Sequence, residues 1–206
     1  NICELNGIEG TLIRMDPDGK NMEVFASGVR NSVGMDFHPE TGVLHFTDNG
    51  TDMMGDLIPP GEFNAAPKAG MHFGYPWYAG GKERHKDWKD RQPPGEVTYP
   101  AVEFGAHGAP LGVLFYTGNM FPEDLKNDAL VMQHGSWNRS EPFGYRILRV
   151  RFDEKGNATG KEIFIDGWLI DGEAWGRPVD ALQLPDGSVL VSDDYQGVIY
   201  RIYYEG

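Results

Sequence analysis

Short apolar runs, in many of which hydrophobic and polar residues alternate, recur along the chain between clusters of Gly, Pro, Asn and Asp. A period of two bounded by turn residues predicts β-strands with one face turned to a core. The runs fall at residues 11–15, 21–25, 32–37 and 43–47, then at 111–116, Ala129–Gln133, 145–152, 161–165, 179–184, 188–192 and 198–203. Between them stand explicit turn signals: Asp16-Pro17-Asp18-Gly19, His38-Pro39-Glu40-Thr41-Gly42, Pro122-Glu123-Asp124 and Pro185-Asp186-Gly187. Each supplies a fixed proline φ or a glycine able to reverse the chain. No long helical period interrupts this pattern, so an all-β chain is expected.

The pattern also repeats. GVRNSVGMDFHPETGVLHFTDNG (28–50) and GRPVDALQLPDGSVLVSDDYQG (176–197) share an order: Gly, Arg, strand, Pro-containing turn, strand, then Asp-Asn or Asp-Asp and Gly. A looser copy begins at His107. Repeats longer than about 40 residues with four strands each point to β-propeller blades carrying loop insertions. Residues 56–100, rich in Pro, Gly and charge, are expected to be one such inter-strand insertion within a single partial propeller domain spanning 1–206. In a blade, the loop entering the first strand and the loop leaving the second lie on the same face. That rule brings Arg30-Asn31, His107-Gly108 and Arg177-Pro178 to one channel mouth, together with segments 48–52, 134–139 and 193–197. Convergence of polar groups from distant segments is what a ligand site requires.

Composition narrows the partners. The 206 residues carry a net charge of −13, which repels phosphate backbones and argues against nucleic acid. No apolar run approaches the roughly 20 residues of a membrane helix, and the first residues do not read as a signal peptide. Cys3 is the single cysteine, so neither an internal disulfide nor a cysteine metal cluster is expected.

Candidate chemistry then lies at the mouth. Arg30 and Arg177 suit carboxylates or quinone oxygens, which a guanidinium holds by forked hydrogen bonds; each can equally tie neighbouring blades together. The segment Asp48-Asn49-Gly50-Thr51-Asp52 concentrates oxygen atoms around a glycine and reads as a polar turn or a site for a hard cation. Asp56 and Glu62 read as solvated loop charges or, less readily, as ligands of a structural cation. No histidine pair has zinc-ligand spacing, and nucleophile-elbow and nucleotide-binding glycine patterns are absent. Asn49, Asn138 and Asn157 lie in glycosylation sequons.

These residues carry a family resemblance. GVRNSVGMDFHPETGVLHFTDNG, MHFGYP (71–76), HGAPLGVLFY (107–116), HGSWNRSEPFGYRILRV (134–150) and GRPVDALQLPDGSVLVSDD (176–194) resemble, in order, the glucose/sorbosone dehydrogenase family, nearest its sorbosone dehydrogenase-like branch. The resemblance implies a six-bladed propeller, of which this chain would hold about three blades of four antiparallel strands. It also implies sugar or aldehyde oxidation with pyrroloquinoline quinone (PQQ) and calcium, an external electron acceptor, and a periplasmic or secreted location. By the same resemblance, Arg30 and Asn31 contact the quinone, while Asn49 belongs to the cofactor loop whose Gly50 and Thr51 carbonyls bind calcium. His107, Asn138, Arg139 and Arg177 are the remaining cofactor contacts. Many relatives have Arg where this chain has Thr51, and the family's catalytic histidine belongs to earlier blades with no counterpart here. The chain therefore reads as the second half of such a domain, completed by a missing N-terminal half or by a second copy. A non-enzymatic propeller fragment that binds glycans or proteins is the alternative. Calcium-dependent lactone hydrolysis is weaker still, since the loops offer mainly backbone oxygens and arginine.

Overall fold

A computed structural model describes residues 8–206; Cys3 lies outside them. The chain begins with a hairpin of β1 (Thr11–Arg14) and β2 (Glu23–Ser27), turned at Gly19, whose φ of +80° glycine accepts without strain. The strands β3 (Met35–Phe37), β4 (Leu44–Asp48) and β5 (Gly61–Ala66) then run as an antiparallel meander. β6 (Met71–His72) returns to pair parallel with β2, and β7 (Tyr78–Gly80) and β8 (Glu83–Arg84) form a small ribbon. β9 (Val102–Phe104) completes the second sheet against β5.

The third sheet is the uninterrupted meander β10 (Pro110–Phe115), β11 (Ala129–Gln133), β12 (Arg146–Phe152) and β13 (Ala158–Ile165). A short hairpin of β14 (Leu169–Ile170) and β15 (Glu173–Ala174) leads to the fourth sheet, β16 (Pro178–Gln183), β17 (Val189–Asp193) and β18 (Val198–Ile202). Among the described residues there is no α-helix, and the all-β expectation is met.

Two expectations are corrected. Residues 61–66 are not part of an insertion: they form the third strand of the second sheet, and 71–72 pair with the first. The sequence Gly-Glu-Phe-Asn-Ala-Ala has no β-branched residue and does not alternate, because both its faces are buried. The four-strand expectation also holds for only two sheets; the first and fourth have three strands each among the described residues.

The sheets pack face to face in series, with one hydrophobic cluster between each pair. Phe46, Phe73, Leu12 and Ala26 fill the first interface, and Phe63, Phe104, Val113, Val131 and Val150 the second. Tyr116, Leu130, Met132, Ile147, Val189 and Val191 fill the third. Strand β11 shows how alternation builds this. Ala129 and Val131 point into the second cluster, while Leu130 and Met132 point into the third, so every residue of the strand is buried. At the inner strands the sheets come so close that side chains are excluded. A Cβ on Gly34 would lie 2.2 Å from the Leu111 carbonyl oxygen, and one on Gly112 would lie 2.3 Å from an Asp180 carboxylate oxygen. Side-chain ties secure the same seam: Thr47 Oγ1 donates to Leu111 O at 2.7 Å and Asp36 Oδ2 accepts from Phe115 N at 2.8 Å.

His45 lies fully inside the second interface, stacked on Phe63 at 5.3 Å between ring centroids and bonded through Nδ1 to Val43 O at 3.1 Å. Burial holds its pKa down to about 4, from the ordinary 6.5. The folded state therefore binds the proton more weakly than the unfolded chain, and stability present above pH 6.5 is lost as pH falls towards 4. We expect His45→Phe to flatten that acid limb by up to roughly 3 kcal/mol, read as denaturation midpoints at pH 7 and pH 4.5. Parallel losses in both proteins would remove His45 as the cause.

Candidate functional site

The site begins with a carboxylate that the sequence hides in a strand end. Asp48 closes β4, is buried, and accepts the backbone N–H of Arg30 at 2.8 Å and of Asn31 at 2.5 Å. This fixes the loop that enters β3 against the loop that leaves β4, as the repeat predicts. Arg30, so positioned, folds its guanidinium over the 49–52 turn. Its Nη1 donates to the carbonyls of Asn49 at 3.0 Å and Gly50 at 2.8 Å, and its Nη2 pairs with Asp52 at 3.0 Å. Asn138, from the loop after β11, donates to the other Asp52 oxygen at 3.2 Å. Asn49 Nδ2 donates to the carbonyls of Asn31 and Pro110, so a glycan on this sequon would break the loop's own bonds.

These groups surround a cavity of about 170 Å³. Of the residues singled out in the sequence, Arg30, Asn31, Asn49, Gly50, His107 and Asn138 line it, joined by Asp52 and Trp137. His107, held at φ +62°, uses Nε2 to bond the carbonyls of Gly55 and Ile58, at 2.8 and 3.1 Å, and so pins the 51–58 loop over the mouth. The remaining three lie outside the lining. Thr51 donates its N–H to Ala79 O, and its hydroxyl is buried with no partner. Arg139 packs over the Phe143 ring and holds the carbonyls of Asp56 and Ala106. Arg177 stands further round the face, 5.2 Å from the Tyr145 ring centroid and 5.9 Å from that of Tyr195. No carboxylate lies within ion-pair distance of it among the described residues. His134 and Asp194 pair at 2.8 Å and tie the third sheet to the fourth at the same end.

Behind the cavity Asp48 faces Glu62 across the β4–β5 ladder, and both are buried. Glu62 accepts from Gly81 N at 2.6 Å and from Asn64 Nδ2 at 2.8 Å. Burial pushes both carboxyls up, and the Asp48 charge raises Glu62 further, so the pair holds a proton well above the ordinary carboxylate range. Glu62 is thus a buried strand residue and not the solvated loop charge that its surroundings in the sequence suggest.

The polar groups at the cavity are of both kinds: the Arg30 guanidinium donates, and the Asp52 carboxylate and Asn138 Oδ1 accept. The Gly50 carbonyl, expected to bind calcium, accepts from Arg30, so an ion on that oxygen would sit against a guanidinium. No cluster of three or more His, Cys, Asp or Glu side chains among the described residues is arranged to hold a metal ion. Arg177 lacks an acidic partner among the described residues in a chain of net charge −13, whereas the Asp52 carboxylate and the buried, unpartnered Asn138 Oδ1 are acceptors. One guanidinium, from Arg30, and the side-chain amides of Asn31, Asn49 and Asn138 line the cavity, and such groups suit a planar ligand that bears carbonyl and carboxylate oxygens. The cavity is smaller than the roughly 300 Å³ at which small-molecule sites begin, as a single wall of a larger site would be.

Sequence reasoning missed Trp137 and the structural part played by Asp48. Nothing marks Trp137 except an aromatic residue inside an otherwise polar loop, Ser136-Trp137-Asn138-Arg139.

Comparison with known proteins agrees with this architecture. The family model described as TrAA12-like matches residues 62–205. An uncharacterized protein of Borreliella burgdorferi is 42% identical over 200 residues, covering 96% of this chain and 53% of that protein. The chain thus spans about half the length of the curated relative it matches. Among solved structures, the iodide structure of the family AA12 carbohydrate-active enzyme of Trichoderma reesei superposes with a TM-score of 0.73 at 21% identity. The match covers 88% of this chain and 54% of that one. The PQQ domain of pyranose dehydrogenase from Coprinopsis cinerea gives 0.65 at 20% identity, covering 90% and 56%. The soluble aldose sugar dehydrogenase of Escherichia coli gives 0.63 at 18%, covering 91% and 52%. These structural likenesses are ones of fold, a β-propeller of packed antiparallel sheets.

Proposed function

The chain belongs to the TrAA12-like family, and from that premise we propose that it forms the quinone-facing wall of a propeller that oxidises a sugar or a sugar-derived aldehyde. The observation that carries this reading is the cavity where Arg30, Asn31, Asn49 and Asn138, drawn from the second and third sheets, meet, with Arg177, which has no acidic partner among the described residues, further round the face. Pyranose, aldose and glucose dehydrogenases share the fold, one of them as a PQQ domain. Bound PQQ would supply the two-electron acceptor for the sugar. Arg30 would hold quinone or carboxylate oxygens and stabilise negative charge developing there, since its guanidinium is fixed in advance by the Asn49 and Gly50 carbonyls. Asn31 and Asn138 would orient the ring edge, and Arg177 would offer a second cationic contact.

The chain supplies this wall and not a complete ring. Val24 on the first sheet, and Leu182 and Ile199 on the fourth, stand exposed at the two ends of the series. Apolar strand faces of this kind call for a neighbouring sheet. In this reading the rest of the propeller brings the proton acceptor, and the whole protein works outside the cytoplasm, as the resemblance implies. Aldose oxidation with an artificial electron acceptor, with and without added calcium, tests it. The chain with PQQ alone is expected to give no turnover, and turnover is expected when the remaining propeller half is supplied. Turnover independent of PQQ would refute the quinone reading.

A further inference from the structure

The 134–139 loop is bound to its surroundings at nearly every residue except one. Ser136 Oγ accepts from Phe143 N at 2.9 Å, and its carbonyl accepts the Tyr145 hydroxyl at 2.6 Å. Asn138 is tied to Asp52, and Arg139 to the carbonyls of Asp56 and Ala106. Trp137, between these anchors, is 70% exposed, the most exposed of the large aromatic residues. Its indole makes no hydrogen bond, ring contact or cation contact with any described residue, yet it lines the cavity. Trp168 is buried, and Trp77 and Trp88 pack on each other at 5.4 Å. Holding an indole in water on an otherwise fixed loop forgoes its burial energy, and such a side chain is a ready contact for a ligand.

From this we infer that Trp137 is the platform on which the apolar face of a pyranose ring stacks at the rim of the cavity. The inference rests on the reading of the site as a sugar-oxidising one. The layout separates two ligands by chemistry. The Arg30 side chain, only 21% exposed, lies deep in the site and suits the anionic cofactor. Trp137 stands at the outer edge, where a neutral polyol can lay its C–H face on the indole. Trp137 is therefore a specificity-determining contact, and it takes no part in electron or proton transfer.

The test uses saturation-transfer NMR and calorimetry with D-glucose as probe, on the chain before and after loading with PQQ. In the original protein the glucose C–H protons are expected to receive saturation. Trp137→Ala is expected to weaken glucose binding about tenfold, and Trp137→Phe by a few-fold, with thermal midpoints and PQQ affinity unchanged. Equal glucose affinity in all three proteins, or no glucose binding by any of them, would overturn the inference. So would a loss of PQQ affinity in Trp137→Ala with glucose binding intact, since the indole would then be stacking on the quinone. Failure of the original protein to bind PQQ, with glucose binding still lost in Trp137→Ala, would refute the quinone reading and leave the sugar platform standing.

Discussion

Arg30→Ala is expected to weaken PQQ binding by about 100-fold, the equivalent of two charge-assisted hydrogen bonds at about 1.5 kcal/mol each. The geometry explains the size of the effect. One guanidinium bridges two carbonyls and a carboxylate, so removing it deprives the ligand of a cation and leaves the 49–52 turn unheld. Asp52 would then face the cavity with only Asn138 as partner, adding a repelling charge where an anion must bind. Arg30→Gln separates these contributions: it keeps an amide donor but loses the charge, and should lose affinity by an intermediate factor. Titration at two salt concentrations checks the assignment, because the loss should shrink as ionic strength rises. Affinity unchanged in both variants would remove Arg30 from the site.

Gly34→Ala is expected to be the most damaging single methyl group in the fold. The added carbon would lie 2.2 Å from the Leu111 carbonyl oxygen and 2.7 Å from Gly112 Cα, both backbone atoms of the facing inner strand. Backbone cannot swing aside as a flexible side chain would, so β3 and β10 must separate. That parting would break the Thr47–Leu111 and Asp36–Phe115 bonds across the seam. A cost of about 3 kcal/mol or more follows, and a fall in thermal midpoint of roughly 6–12 °C for a chain of this size. Gly42→Ala is the control: it has open space around it, and its positive φ alone sets a smaller cost. Equal midpoints for the two variants would show that the inner strands are not packed as described.

Much of this architecture could be read from the chain, and the gaps have physical causes. Apolar runs bounded by turn residues mark strands even where both faces are buried, which is why the meander β10–β13, with β11 as Ala-Leu-Val-Met-Gln, is legible almost residue by residue. Strand β5 is not, because Gly61, Glu62 and Asn64 break its apolar run and give it the composition of a loop. The parallel pairing of β2 with β6 joins segments more than forty residues apart, and no local pattern encodes it. At the site, the repeat placed Arg30, Asn31, Asn49, Gly50, His107 and Asn138 together, since blade topology fixes which loops share a face. It did not reveal that Arg30 occupies the Gly50 carbonyl, which depends on side-chain reach beyond what spacing tells. Trp137 escaped notice for a different reason. A single aromatic residue in a polar loop has no period, and only its exposure in the folded chain gives it meaning.

The central claim is that this chain carries a quinone-binding wall, and equilibrium titration with PQQ followed by quinone absorbance tests it most directly. The account predicts saturable one-to-one binding by the chain alone, weakened about 100-fold by Arg30→Ala and left unchanged by Trp137→Ala. Absence of saturable binding, or binding indifferent to Arg30, would contradict it.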